Sequence, residues 1–149
     1  EVRLMNAYIV TCTGFEKDDK GRVTTVHCTY DPLTRSGLEG ANKKVKGTIH
    51  FVDAKTAVDA TVRLYENLVD EEKGVYNEED GSVNVNPDSL IVREHAKLEA
   101  SLKDAKPGAS FQFVRTGYFT VDYKDSAQDH LVFNRIVSLK SSFKLANDK

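Results

Sequence analysis

The sequence predicts an all-β protein built from small barrels. Three observations favour this class: apolar and polar residues alternate along much of the chain, turn residues recur about every 8 to 12 positions, and only one short stretch has helical character. Closing a sheet into a barrel removes the unpaired edges that amphipathic strands would otherwise expose. The 149 residues suffice for one domain or two small ones.

The first half of the chain is predicted to contain about four strands. The first strand carries one apolar face, and a β-hairpin turn at 18–21 joins it to a second alternating strand at 23–30. A glycine-containing loop at 31–44 then precedes a third strand at 45–52, in which Lys46 and His50 face away from the apolar side. A helical turn at 53–57 leads to a fourth strand at 58–65. The apolar face of the first strand consists of Val2, Leu4, Tyr8 and Val10.

The second half is predicted to contain further short strands, separated by turns. Asn86 and Pro87 begin the strand at 90–93, and Pro107 and Gly108 precede a longer strand at 110–122. The final strand, at 131–139, is expected to pair with that longer strand. The one moderately helical stretch is 96–105.

The negative charge of the chain is concentrated in one segment. The whole chain has a net charge of −2, while the segment 69–82 holds six acidic residues against one lysine, so the remainder has a net charge of +3. The simplest interpretation of this segment is a solvated loop, and the alternative is a surface held away from phosphate. The acidic residues are Asp70, Glu71, Glu72, Glu78, Glu79 and Asp80.

Cysteine and histidine usage does not indicate a disulfide framework or a metal site. Cys12 and Cys28 fall on neighbouring predicted strands, and we expect reduced, partly buried thiols. The four histidines lack the spacing of zinc ligands, so we predict no metal. The apolar run at 7–10 is far shorter than the ~20 residues that a membrane span needs, and no leader opens the chain, so we expect a cytoplasmic protein without membrane contact. We also expect a monomer.

Ordered sequence blocks carry a family resemblance over nearly the whole chain. The most informative block is a lysine cluster that enters an alternating strand at 41–52. Together the blocks resemble the anticodon-binding region at the C-terminal end of the glutaminyl-tRNA synthetase family. They are residues 1–4, 6–8, 28–31, 41–52, 62–65, 86–90, 111–113 and 132–135.

This resemblance implies two six-stranded barrels of the ribosomal-protein-like type. Residues 1–70 would form the distal barrel and residues 71–149 the proximal one, which we expect to be incomplete because family members carry barrel strands before the point where this chain starts. The start at Glu1, within a strand, suggests an excised fragment. In the family, glutamine is activated with ATP and Mg²⁺ on a separate domain with HIGH-like and KMSKS-like motifs, and neither motif occurs here. We therefore expect this chain to be inactive alone, without a cofactor, and to act with its own catalytic domain.

Gln112 is the strongest candidate for reading a base. Alternation puts Phe111, Phe113 and Arg115 on one face and Gln112 on the other, unless a bulge or corner reorients one of them. A carboxamide offers both the acceptor and the donors that match uracil. The resemblance aligns Gln112 with the glutamine that reads the middle anticodon base, a uracil, and Arg115 with an arginine at the same site. The alternative is an exposed strand residue beside core phenylalanines.

Arg3 and Met5 correspond to two arginines of the family that act at the first anticodon base. A guanidinium can donate to the acceptors of cytosine, whereas a thioether offers stacking and no donors. A bidentate base contact is worth roughly 1–3 kcal/mol by analogy with groove readout in DNA, so Met5 in place of the second arginine would weaken or relax reading of the first position. Taken alone, an arginine in a strand is usually an ordinary surface residue.

Lys43, Lys44 and Lys46 form a basic patch that could hold backbone phosphate, although a solvated loop explains it equally well. Arg63 and Arg135 are weaker candidates of the same kind.

The leading interpretation of the sequence is a module that recognises the anticodon loop of glutamine tRNA. The alternatives are the equivalent domain of a glutamyl-tRNA synthetase, a stand-alone RNA-binding or ribosomal-type barrel, and a protein-interaction barrel.

Overall fold

The computed structural model describes residues 1–70 and 72–139 and contains nine β-strands there. Three short 3₁₀ turns accompany the strands, and no α-helix occurs in these two ranges. The predicted all-β class is therefore confirmed. The chain divides into two compact units, the first spanning Glu1–Phe51 and the second beginning at Val52.

The first unit is a four-stranded sheet with the strand order β3-β2-β1-β4. β2 pairs antiparallel with both β1 and β3, whereas β4 lies parallel to β1. The predicted hairpin between residues 18 and 21 is confirmed, because β2 and β3 flank it. The strands are β1 (Val2–Leu4), β2 (Ile9–Lys17), β3 (Val23–Asp31) and β4 (Thr48–Ile49).

Two predicted strands of the first unit are wrong in extent. The predicted first strand through Val10 reverses at Asn6, whose φ of 60° lies in the left-handed region that asparagine tolerates well. Val2 consequently pairs with Val10 across the turn instead of preceding it on one strand. The strand predicted at 45–52 shrinks to Thr48–Ile49, because only these two residues find partners on β1.

The buried centre of the first unit combines one apolar and one polar side chain. Ile9 and Thr34 are almost fully buried. The Thr34 hydroxyl accepts a hydrogen bond from the Ile9 backbone N–H at 2.9 Å and donates one to the Asp31 carbonyl at 2.7 Å. Thr34 ends the 3₁₀ turn Pro32–Thr34, whose Leu33 N–H is capped by the Asp31 carboxylate. Buried polar groups of this kind are stable only when they are hydrogen-bonded.

The second unit is a five-stranded sheet with the strand order β6-β5-β9-β8-β7. β5 and β9 are parallel, and all other neighbours are antiparallel. The expected pairing of the final strand with the strand before it is confirmed. The strands are β5 (Val58–Tyr65), β6 (Leu90–Leu98), β7 (Ser110–Phe113), β8 (Gly117–Val121) and β9 (Leu131–Ser138).

Phenylalanine side chains form the core of the second unit. Phe119 and Phe133 are fully buried. Phe113 stacks on Phe119 with 4.3 Å between ring centroids, and Phe111 meets the edge of Phe133 at 6.2 Å. Such aromatic pairs add about 0.5–1.5 kcal/mol to the free energy gained from apolar burial. β7 is thus fixed to the sheet by the side chains on either side of Gln112.

Two predictions for the second unit are wrong. The helical stretch at 96–105 is instead the end of β6 followed by the 3₁₀ turn Ala100–Leu102, because Ala96 and Leu98 stay in register with β5. The long strand at 110–122 is a hairpin, since the chain reverses at Arg115, which has a φ of 67°.

The strand orders of the two sheets can be compared with the predicted barrels, and the division between the units with the predicted boundary near residue 70. They contain four and five strands, and neither strand order returns to its first member among the described strands. β5 hydrogen-bonds with β6 and β9, so the compact division falls before β5, whereas the predicted boundary near residue 70 falls after it. The assignment of 1–70 and 71–149 to two barrels stays a prediction.

The acidic segment folds back on itself through the bridges Val69 to Val85 and Tyr76 to Val83. Glu72, Glu78 and the two acids that follow Glu78 are exposed, as expected for a solvated loop, whereas Asp70 is half-buried and pairs with Lys73. Glu71 lies outside the described residues.

Cys12 and Cys28 are register partners on β2 and β3 and are free thiols. Both are exposed, so the expectation of partial burial is wrong. Within the described part of the chain, no helix is long and apolar enough to cross a membrane.

Candidate nucleic-acid interface

Gln112 lies in the middle of β7 with its side chain on the exposed face. Phe111 and Phe113 point the other way into the aromatic core, as the alternation predicts. Among the residues that the structure describes, none hydrogen-bonds the Gln112 amide. Its carbonyl oxygen and both N–H groups can therefore meet a ligand, and the two flanking phenylalanines keep the backbone beneath it in place.

Arg115 occupies the turn between β7 and β8. The turn is closed by a hydrogen bond from the Thr116 N–H to the Phe113 carbonyl at 2.8 Å. The prediction that Arg115 shares a strand face with Phe111 and Phe113 is wrong, because the strand ends before it. The structure nonetheless brings Gln112 and Arg115 onto one hairpin, with Arg115 exposed at its tip.

The side chain of Arg3 makes contacts that the alternation of residues did not predict. Its guanidinium donates to the carbonyl oxygens of Ala41 at 2.7 Å, Lys43 at 3.0 Å and Thr34 at 3.3 Å. These carbonyls lie 31 to 40 residues away in the chain, so the contact depends on how the loop folds. Arg3 therefore ties the loop of the first unit to β1. Its predicted contact with an anticodon base stays a prediction.

Met5 follows β1 directly and is half-buried. Its backbone N–H donates to the Ile49 carbonyl at 2.9 Å, which continues the pairing between β1 and β4 by one residue. Arg3 and Met5 thus both lie at β1 in the first unit, on either side of Leu4.

The three lysines of the basic patch differ in their surroundings. The Lys43 ammonium pairs with the Glu1 carboxylate at 2.6 Å, and this hydrogen bond lowers the pKa of Glu1. Lys44 and Lys46 are exposed, and neither has an acidic partner among residues 1–70 and 72–139. Two positive charges of the patch are therefore not neutralised within this structure, and the Lys43 carbonyl is held by Arg3.

Arg63 and Arg135, the weaker phosphate candidates, are both paired with carboxylates. Arg63 lies 2.7 Å from Asp125 and 3.7 Å from Asp122, and its hydrogen bond to Asp125 raises its pKa. Arg135 pairs with Glu66 and donates to the Tyr65 carbonyl at 2.8 Å. Both arginines thus join strand β5 or β9 to adjoining loops of the second unit.

Asp122 gathers several donors at the end of β8. Its carboxylate accepts hydrogen bonds from the backbone N–H groups of Asp125 and Lys124, and from the Asn134 amide at 2.5 Å. The bond from the Asp125 N–H is the largest cause of a lowered pKa at Asp122, followed by the bond from Asn134. This network is structural.

In residues 1–70 and 72–139, no group of three or more histidine, cysteine or carboxylate side chains is placed to hold a metal ion. The arrangement instead offers an amide and an arginine on one hairpin and two unneutralised lysines on the other unit. Those groups can hydrogen-bond a base edge and attract phosphate.

Similarity to known proteins agrees with this chemistry. Residues 1–31 and 48–122 each match a family model described as tRNA synthetases class I (E and Q), anti-codon binding domain. Arg3 and Met5 fall within the first match, and Gln112 and Arg115 within the second. The basic patch lies between the two matched ranges.

Individual proteins are similar over nearly the whole chain. The glutamine–tRNA ligase of Clostridium perfringens is 50% identical over 149 residues, which cover 97% of this chain and 26% of that relative. The ligase of Clostridium kluyveri is 46% identical over 150 residues, covering 100% of this chain and 27% of the relative. The ligase of Serratia proteamaculans is 42% identical over 143 residues, covering 96% of this chain and 26% of the relative. The chain spans about a quarter of the length of these curated relatives.

Proposed function

The chain belongs to the anticodon-binding domain family of the class I tRNA synthetases for glutamate and glutamine, and from this membership we propose that it recognises the anticodon loop of glutamine tRNA within a longer glutamine–tRNA ligase. The observation that carries the proposal is the Gln112 amide, which is exposed and has no hydrogen-bond partner among the described residues. It is held between two core phenylalanines. The names of the relatives favour glutamine over glutamate.

Recognition would proceed by splaying the loop bases away from one another and reading their edges individually. The Gln112 carbonyl oxygen accepts from the N3–H of the middle uracil, while its N–H donates to a uracil carbonyl. Arg115, at the tip of the same hairpin, contacts the adjoining phosphate or base face. These groups contribute specificity for the middle position.

The first unit would contribute affinity and the first anticodon position. Lys44 and Lys46 attract backbone phosphate without regard to sequence. Arg3 holds the loop that bears these lysines. Met5 has a thioether where the family has a second arginine with N–H donors, so we propose relaxed reading of the first base. The two sheets would be the described parts of two anticodon-binding barrels.

The catalytic chemistry would lie elsewhere in the longer protein. Activation of glutamine with ATP and Mg²⁺ would take place on a separate domain, and the present chain would need no cofactor for its own part. We propose that the longer protein acts as a cytoplasmic monomer, with correct anticodon binding favouring aminoacylation.

A binding titration of the intact protein tests the proposal. We call the anticodon stem-loop of glutamine tRNA the cognate loop. The methylated loop is the same RNA with the middle uracil methylated at N3. Methylation removes the N3–H group from which the Gln112 carbonyl oxygen would accept a hydrogen bond. We expect the methylated loop to bind about 5- to 150-fold more weakly, because each good bidentate base contact is worth roughly 1–3 kcal/mol. Equal affinities would overturn the proposed reading of the middle base.

The chain offers a matched control for this titration. Gln128 is the other glutamine of the sequence and is also exposed, on a loop of the second unit. Gln128→Ala should leave the preference for the cognate loop unchanged, whereas Gln112→Ala should remove most of it.

A further inference from the structure

Tyr118 and Gln112 are exposed on the same face of the second unit's sheet. The two residues are direct partners in the antiparallel register of β7 and β8, so their side chains project from the same side of the sheet. The neighbours of Tyr118 on β8, Gly117 and Phe119, are both buried, which leaves Tyr118 as the outward residue between them. Its side chain is 44% exposed, although a tyrosine ring is largely apolar.

A third exposed side chain lies next to Tyr118 on strand β9. Tyr118 pairs with Val137 on β9, which is also exposed. An amide, an aromatic ring and an aliphatic side chain therefore lie side by side across three strands. Within residues 1–70 and 72–139, the Tyr118 hydroxyl makes no hydrogen bond, so no polar contact accounts for the position of the ring.

Other exposed tyrosines have different surroundings. Tyr30 packs against the edge of Tyr8 at 5.1 Å, and Tyr65 donates a hydrogen bond to Asn134 at 3.4 Å. Neither is a register partner of Gln112. Tyr118 is thus distinguished by its position beside the candidate reader, not by exposure alone.

We propose that Tyr118 is a stacking platform for the base whose edge Gln112 reads, an inference that rests on the proposed function. A single amide on an open surface competes poorly with water for a base edge. An aromatic ring beside it offers a base face-to-face contact worth roughly 1–3 kcal/mol, and every base can use that contact. Tyr118 therefore supplies affinity and orientation, while Gln112 supplies the choice of base.

The experiment measures the affinity of the intact protein for the cognate and methylated loops with three variants of Tyr118. Tyr118→Phe should retain both affinities within about twofold, because the ring and not the hydroxyl makes the contact. Tyr118→Ala should weaken both loops by about tenfold and leave their ratio unchanged, because stacking is tolerant of sequence. Tyr118→Leu keeps apolar bulk and should fall between them, which controls for local unfolding of the hairpin.

Two further measurements make the outcome decisive. With a fluorescent uridine analogue that keeps the N3–H and both carbonyl groups at the middle position, binding should quench the emission in the wild-type protein and Tyr118→Phe, and much less in Tyr118→Ala. Tyr76→Ala, in an exposed tyrosine of the acidic segment, should change nothing.

The inference is overturned if Tyr118→Ala binds both loops like the wild-type protein, or if Tyr118→Phe loses as much affinity as Tyr118→Ala. A wild-type protein that does not distinguish the two loops would instead overturn the proposed function. The two failures are thus separate results of one titration series.

Discussion

The two units support their candidate residues by different physical means. The first unit, Glu1–Phe51, has Ile9 as its one buried apolar side chain among the described residues and relies on hydrogen bonds from Thr34 and Arg3. The second unit has a continuous aromatic and aliphatic core beneath β7 and β8. The groups proposed to choose the middle base thus lie on a hairpin packed against this core, while those proposed to attract phosphate lie on a loop held by polar contacts. Choice of a base requires accurate placement, whereas attraction of phosphate does not.

The largest expected effect concerns the core of the second unit. Phe133 is fully buried and contacts the rings of Phe111 and Phe113. Phe133→Ala should lower the free energy of unfolding by about 3–5 kcal/mol, because it removes buried apolar surface and leaves a cavity. Urea unfolding measures this loss. Leu68→Ala, at a residue 65% exposed in the same unit, is the control and should change little. A loss below about 1 kcal/mol at Phe133 would contradict the contrast between the units.

A smaller effect is expected from the polar centre of the first unit. Thr34→Val preserves the shape of the side chain but leaves the Ile9 N–H and the Asp31 carbonyl without their partner. The free energy of unfolding should fall by about 1–3 kcal/mol, the cost of an unsatisfied buried polar group. Thr13→Val is the matched control, since the Thr13 hydroxyl donates to the His27 carbonyl at an exposed position. Equal stability of Thr34→Val and the wild-type protein would show that apolar packing suffices in this unit too.

These two contrasts also show what the sequence could predict. Period-two alternation located β3, β5 and β9 because each is long enough to display it. It failed at 96–105, where residues that favour a helix remain in β6 because Ala96 and Leu98 pack against β5. It also failed at Asn6, where one left-handed residue turns the chain.

The candidate site was predictable to the extent that local spacing determines it. Gln112 between two core phenylalanines follows from alternation on one strand. The Arg3 contacts do not, because they depend on carbonyls of a loop that local spacing does not place. Tyr118 beside Gln112 likewise requires the register of two strands, and the sequence suggested one strand there.

A modest pH effect should distinguish the units. The pKa of Asp122 is lowered in the folded state, so its carboxylate stabilises the fold above the unfolded pKa of about 4. That contribution is lost as the pH falls through the folded pKa. Unfolding measured between about pH 6 and pH 2 should therefore show a decline in stability that Asp122→Asn reduces. Asp18→Asn, in the hairpin turn of the first unit, should reduce it less: hydrogen bonds from Arg22 also lower the pKa of Asp18, but its side chain is 25% exposed, compared with 16% for Asp122. An unchanged pH profile in Asp122→Asn would argue against the network around Asn134.

The smallest effect per residue concerns salt. Lys44→Gln and Lys46→Gln should each reduce the slope of log affinity against log salt by roughly 1 and leave the preference for the cognate loop intact. Titrations at several salt concentrations measure the slope. Lys97→Gln, at a lysine that already pairs with Asp59, is the control. A change in base preference would mean that the first unit takes part in choosing the middle base.

The most direct test of the central claim is a cycle that combines Gln112→Ala with N3-methylation of the middle uracil. The account predicts that methylation weakens binding to the wild-type protein by about 5- to 150-fold and has little effect on Gln112→Ala, which is a coupling of roughly 1–3 kcal/mol. If methylation weakens the binding of both proteins equally, Gln112 does not read that base and the account is contradicted.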